Sequence, residues 1–274
     1  MRRWQKRTRL PWKTYTFLLG LALLGASWWL LRGLDIRDGR HDRGRNALVL
    51  GPTWTTTKAP AHDSLVISDL AKALLDAHVR ELFLRVPPPN AEGAIDGVDA
   101  TRIETLLYEC LESRAWAEVA AKDLPLGDAR WRRFFSLEVK RLIERNPRLR
   151  GLQLRLAVTD GDANLLLLLD DLRTTLGAKS LSVVSPGWSE AYTREIAKRV
   201  DLLVAPSAQA LAWSEGKPVL VAIPASDLRG PLRRLHSALA KGPLPDNFQG
   251  VLLDADEAPT AETWRDFRER FCHP

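Results

Sequence analysis

The sequence predicts an α/β fold: a (β/α)8, or TIM, barrel preceded by one N-terminal transmembrane helix. Three observations carry this. Between Ala47 and Phe271 lie eight short, nearly all-apolar stretches of strand character, and helical patterns follow seven of them. Eight such units in about 230 residues match the usual size of a (β/α)8 barrel. The clearest unit runs from Arg148 to Trp188. Leu152, Leu154 and Leu156 alternate as in a strand, Asp162 caps a helical run to Leu176, and Leu181 to Ser185 reads as the next strand. Two short strands joined through a helix of this length form a parallel pair, which needs a long crossover. The third observation is Thr14 to Leu31, an uncharged segment of 18 residues flanked by basic ones.

The elements follow in order. Ala47 to Trp54 is the first strand, and Asp63 to Ala77 a helix with apolar positions at Leu65, Ile67, Leu70, Leu74 and Leu75. Glu81 to Val86 is the second strand, ended by Pro87-Pro88-Pro89, which cannot continue a ladder. Ala100 to Glu112 is helical. Ala115 to Ala121 is the third strand, and Asp128 to Arg145 a helix that puts Phe134, Phe135, Val139, Leu142 and Ile143 on one face. After the central unit come a helix over Glu190 to Arg199 and a sixth strand at Leu202 to Ala205, with an irregular link from Pro206 to Gly216. Pro218 to Ile223 and Gly250 to Leu253 are the last strands, with helices over Pro231 to Ala240 and Thr260 to Phe271. A doubly wound open sheet is the alternative. It would call for a Gly-rich phosphate turn after the first strand, and Gly51-Pro52-Thr53 does not resemble one. No nucleotide and no other cofactor is therefore expected.

Residues 1–34 form a basic tail and membrane anchor, 35–45 a charged linker, and 46–274 the barrel domain. Eighteen apolar residues are about the minimum for a bilayer span. A cleavable signal is the rival, because Gly25, Ala26 and Ser27 suit a signal peptidase, but Trp28 and Trp29 continue the apolar run as an interfacial belt. Arg2, Arg3, Lys6, Arg7, Arg9 and Lys13 precede the span, so the N-terminus is expected in the cytoplasm and the barrel outside it. These six account for the whole formal net charge of +6. The domain itself is neutral, which argues against a nucleic-acid partner. Cys110 and Cys272 are the only cysteines, and the sequence leaves open whether they pair.

From about Ala47 to Phe271 the chain resembles the chitinase-like glycoside hydrolases of family 18. The resemblance rests on Gly151, the helix with Leu168, Leu169, Leu172, Arg173 and Leu176, then Leu181-Ser182-Val183 and Pro186, and on Val200-Asp201-Leu202-Leu203 and Val221-Ala222-Ile223-Pro224 at strands six and seven. It implies a barrel that handles glycans. The family's fourth-strand acids fall here on Arg150, Gln153, Arg155 and Ala157, so the general acid is an alanine and cannot protonate a leaving oxygen. The Tyr-Asp pair expected after strand six is replaced by Pro206-Ser207-Ala208.

Alternation turns Gln153, Arg155 and Ala157 into the barrel while Leu152, Leu154 and Leu156 face the helices. A charge inside a barrel needs a partner, and Glu118, Asp254 and Arg85 are the candidates. Glu118, Asp160 and Asp254 are the candidate catalytic acids. Asp160 has the alternative of making the turn with Gly161, and Asp162 that of capping its helix. Trp54, Trp188 and Trp213 are candidates to line the mouth and stack on sugar rings, with core packing the alternative. Together with Arg85, Gln153 and Arg155 they make up the expected substrate-binding set. His41, His62, His78, His236 and His273 lack ligand spacing, so no metal is expected.

Two functions follow, beside a third possibility, a purely structural envelope protein with no ligand. One is a membrane-anchored, non-catalytic glycosidase-like barrel that binds glycan or an envelope protein. The other is an active glycoside hydrolase with its acid moved to Glu118, Asp160 or Asp254. A buried ion network centred on Arg155 would make Arg155→Ala cost about 3–5 kcal/mol.

Overall fold

The computed structural model describes Leu23, Leu24 and residues 39–272. Apart from those two leucines, the expected transmembrane segment lies outside the described residues, as does the first part of the linker. Among the described residues no helix is long and apolar enough to cross a membrane.

Eight parallel strands close in sequence order into a barrel: β1 (Asn46–Leu50), β2 (Val79–Val86), β3 (Arg114–Ala121), β4 (Leu149–Leu156), β5 (Ser180–Val184), β6 (Leu202–Ala205), β7 (Val219–Pro224) and β8 (Phe248–Asp254). The helices are α1 (Ser64–Asp76), α2 (Ala100–Glu109), α3 (Ala129–Arg145), α4 (Ala163–Leu176), α5 (Glu190–Ala197), α6 (Ala210–Trp213), α7 (Arg229–Leu239) and α8 (Ala261–Arg270). Most begin where a side chain can accept from an orphan backbone N–H: Asp63, Asp99, Asp128, Asp162, Ser189 and Thr260 all cap in this way.

Strand alternation sorts the apolar residues into two cores. Leu152, Leu154 and their counterparts pack outward under the helices. Ala47, Val49, Phe83, Trp116, Val184, Leu202, Val204, Leu220 and Leu252 fill the lumen, so the barrel is solid through its middle. Close backbone approach explains two glycines. A Cβ on Gly151 would lie 1.9 Å from the carbonyl oxygen of Ser180, and one on Gly51 equally close to that of Asp256.

Several expectations need correction. The first strand stops at Leu50, because the chain turns into a short 3-10 helix over Pro52–Trp54. Leu65, Leu75 and Phe134 are exposed, so the buried stripes of α1 and α3 are narrower than an all-apolar count suggests. The link after β6 holds the one-turn helix α6 rather than being wholly irregular. The end of the charged linker is not a free tether. His41 is buried with its Nδ1 2.7 Å from Nδ1 of His236, and Arg43 donates to the carbonyls of Leu244 and Pro245. Apolar content misses this strap because polar side chains hold it. Cys110 and Cys272 are both free and buried. Burial, with Glu109 nearby, pushes the Cys110 thiol up to about 11.

Candidate functional site

Register brings four polar residues side by side across the lumen. Arg85 on β2 pairs with Glu118 on β3, Glu118 with Gln153 on β4, and Gln153 with Ser182 on β5. All four point inward and are linked in one chain. Ser182 donates through its hydroxyl to Gln153 Oε1 at 3.1 Å, the Gln153 amide donates to Glu118 Oε2, and Arg85 Nε donates to Glu118 Oε1 at 2.8 Å. Glu118, Gln153 and Ser182 have no exposure to solvent. A carboxylate taken wholly out of water needs partners for both of its oxygens.

Above that row, towards the C-terminal ends of the strands, a second layer faces open space. Arg155 Nη1 donates to Asp254 Oδ2 at 2.8 Å, and Arg155 Nε lies 3.3 Å from Glu118 Oε1. That second approach is an ion pair without hydrogen-bond geometry; among the described residues Nε and Nη2 of Arg155 make no hydrogen bond. Arg85 extends to the same layer, with Nη2 3.6 Å from Asp254 and Nη1 donating to Asp256. Burial by itself would lower the Arg85 pKa, but Glu118, Asp254 and Asp256 outweigh it and hold the guanidinium above its ordinary value.

A cavity of about 760 Å³ opens over this layer. Arg155 and Asp254 form its charged floor, Lys122 stands at its edge, and Ala157 lies where the family resemblance would put a general acid. Pro88, Pro89, Pro186, Pro206 and Pro224, each at or just beyond a strand end, supply apolar walls. This is the face on which barrel enzymes carry their sites.

The expected site residues divide sharply. Arg85, Glu118, Gln153, Arg155 and Asp254 come together. Asp160 does not join them: its Oδ1 accepts from both the backbone N–H and the hydroxyl of Ser189, tying the loop after β4 to the start of α5. The tryptophans are elsewhere too. Trp54 is buried and stacked on His62 with ring centroids 3.7 Å apart, and Trp188 is buried edge-on against Tyr192. Trp213, at the end of α6, is half-buried and does not line the cavity. The mouth therefore offers no indole platform among these three. Sequence reasoning passed over Ser182 as a network member, Asp256 as an arginine partner and Lys122 at the rim. The inward alternation of β5 would have found the first. The other two sit in loops, where periodicity says nothing.

A different polar group plugs the opposite end. Glu81 accepts from Trp116 Nε1 at 2.6 Å and from Arg150 at 3.0 Å. Burial pushes its carboxyl above the usual glutamate range, against the opposing pull of Trp116 and Arg150.

The sequence matches no protein-family model and no curated protein. Solved structures do resemble it. The spore cortex-lytic enzyme SleL of Bacillus cereus aligns with a TM-score of 0.56 at 12% identity, over 83% of this chain and 75% of that one. The putative chitinase A from Streptomyces coelicolor gives 0.54 at 10% identity over 83% and 97%. The maltogenic α-amylase AmyB of Thermotoga neapolitana gives 0.53 at 8% over 83% and 76%. At such identities the likeness is one of fold alone, a TIM barrel that these enzymes share.

Proposed function

We propose that this protein is a non-catalytic, glycosidase-like barrel that binds a glycan in the cavity above Arg155 and Asp254, held outside the cytoplasmic membrane by its N-terminal apolar segment. One observation carries the reading: the acids of the barrel interior are already engaged by cations. Glu118 is sealed beneath Arg85 and Gln153, and Asp254 is paired with Arg155. A glycosidase needs one carboxylic acid free to protonate the leaving oxygen, and Ala157 offers none. Binding has better support, since an open cavity with apolar walls and a few convergent polar groups is the usual form of a small-ligand site.

An active hydrolase is the second reading, favoured by one fact: the Asp254 side chain is about 31% exposed and lines the cavity. Calorimetric titration of the full chain with oligosaccharides from chitin and from peptidoglycan separates the two. Saturable binding without turnover, weakened at least tenfold by Ala222→Trp in the cavity wall, supports the binding protein. Turnover abolished by Asp254→Asn would establish the hydrolase, while an envelope protein captured through this cavity, with no sugar bound, would replace glycan by a protein partner.

A further inference from the structure

Away from the cavity, at the N-terminal end of the barrel, three segments distant in sequence meet. The geometry points to a divalent transition-metal site, zinc by its ligand chemistry, formed by Asp42, His78 and Cys272. A carboxylate oxygen of Asp42, a ring nitrogen of His78 and Cys272 Sγ all lie within 4.8 Å of one another, and Asp42 Oδ2 and His78 Nδ1 are 2.7 Å apart. One carboxylate oxygen, one imidazole nitrogen and one thiol are the donor types that zinc takes, and a tetrahedral ion with bonds of about 2.0–2.3 Å separates such donors by about 3.3–3.6 Å. Bringing the three to that spacing requires shifts on the order of an ångström: Oδ2 and Nδ1, now 2.7 Å apart, move slightly away from each other, and the sulfur moves in.

The surroundings are arranged as a ligand's would be. The Asp42 side chain is fully buried, and its other oxygen, Oδ1, accepts from Gly44 N at 2.8 Å and from Asn46 Nδ2 at 3.2 Å, which fixes the direction of Oδ2. Asn46 Nδ2 also approaches Cys272 Sγ at 3.9 Å, so one amide orients two of the three donors. His78 has a φ of 54°, a left-handed backbone conformation uncommon for a residue with a side chain, and it is held there at the turn between α1 and β2. Its side chain is 37% exposed, which gives an ion a route in and gives solvent a place as the fourth ligand. Cys272 Sγ donates weakly to the Ala77 carbonyl at 3.5 Å, a contact that a thiolate would give up on binding metal.

The plain alternative is an Asp42–His78 hydrogen bond beside a buried inert thiol. It explains each contact singly, but not why the strap, the turn after α1 and the second residue after α8 direct three different metal-binding groups to one point. With the ion in place these segments become a clasp joining the strap at Asp42 and the C-terminal end at Cys272 to the base of β2.

Cobalt(II) distinguishes the two. The full chain, stripped of metal with a chelator and titrated with Co²⁺, should bind one equivalent, with intense visible bands of a tetrahedral ion and a near-ultraviolet thiolate-to-cobalt charge-transfer band that zinc abolishes. Cys272→Ser should remove the charge-transfer band, and His78→Ala, at a partly exposed position least able to disturb folding, should abolish one-equivalent binding; Cys110→Ser should leave both intact. Zinc should raise the melting temperature of the wild type and not of His78→Ala. A wild type without the charge-transfer band, or a band that survives Cys272→Ser or disappears in Cys110→Ser, overturns the site.

Discussion

Arg85 and Glu118 face each other across adjacent strands with Arg85 Nε 2.8 Å from Glu118 Oε1, and this contact seals the most deeply buried carboxylate of the barrel. Arg155, which the sequence singles out, approaches the same oxygen at 3.3 Å without a hydrogen bond and gives its one good bond to the half-exposed Asp254. The two arginines should therefore differ in stability. Arg85→Ala should cost about 3–5 kcal/mol, since it leaves Glu118 buried without its main cation. Arg155→Ala should cost about 1–2 kcal/mol, with coupling to Asp254 below about 1 kcal/mol because that pair is partly solvated. Urea denaturation of the single and double variants measures both, and a larger loss for Arg155→Ala would reverse the assignment.

Glu81 yields a pH prediction. Its folded pKa is raised, so the folded state binds the proton more readily than the unfolded one. Stability from this group is then greatest below the unfolded value and falls as pH rises through the window between the two. The advantage of wild type over Glu81→Gln should grow as pH is lowered from neutrality into the ordinary glutamate range. Denaturation midpoints that track each other across that range would remove the effect.

The strap can be tested by truncation. Two shortened chains, one beginning at Gly39 and one at Asn46, differ only by the strap. The one beginning at Asn46 lacks His41, one of several partners of buried His236, and the carbonyl contacts of Arg43, and should be about 2–4 kcal/mol less stable than the other while remaining folded. Equal stability of the two would show that the strap only lies on the surface.

Gly51 and Gly151 tolerate no Cβ without backbone movement. Gly151→Ala should cost about 3 kcal/mol or more by forcing β4 from β5. Gly51→Ala pushes on Asp256, and should in addition weaken ligand binding in the cavity through Arg85. Normal stability in Gly151→Ala would mean that the two strands can separate at little cost.

Membrane attachment is separately checkable. The full chain should remain with membranes through a carbonate wash and retain its N-terminus; a soluble species beginning near Ser27 would mean a cleaved signal.

The barrel was legible because a parallel strand buried on both faces leaves an apolar run that needs no partner to be recognised. The inward row was legible for a related reason: Glu118, Gln153 and Arg155 are polar residues at positions where alternation demands a lumen. What could not be read was the assignment of partners, since Arg85 and Arg155 look equivalent until register and rotamer decide which reaches Glu118 Oε1. Trp54 and Trp188 misled because strand ends adjoin both the rim and the helical layer, and the sequence does not say towards which a ring turns. The meeting of Asp42, His78 and Cys272 was invisible to any search by ligand spacing, because closure of the barrel brings together the strap before β1, the turn before β2 and the segment after α8.

The backbone joins β1 to β8 through only two residue pairs, Ala47 with Leu252 and Leu48 with Leu253. Across that seam, Asp254 and Asp256 are held by arginines from β4 and β2, so side chains supply fastening that the ladder lacks. At the seam, ion pairs thus supplement a ladder of two residue pairs. High salt, or a polyanion competing for Arg85 and Arg155, should speed amide exchange in Leu252 and Leu253 before it does so in the long ladder between β3 and β4.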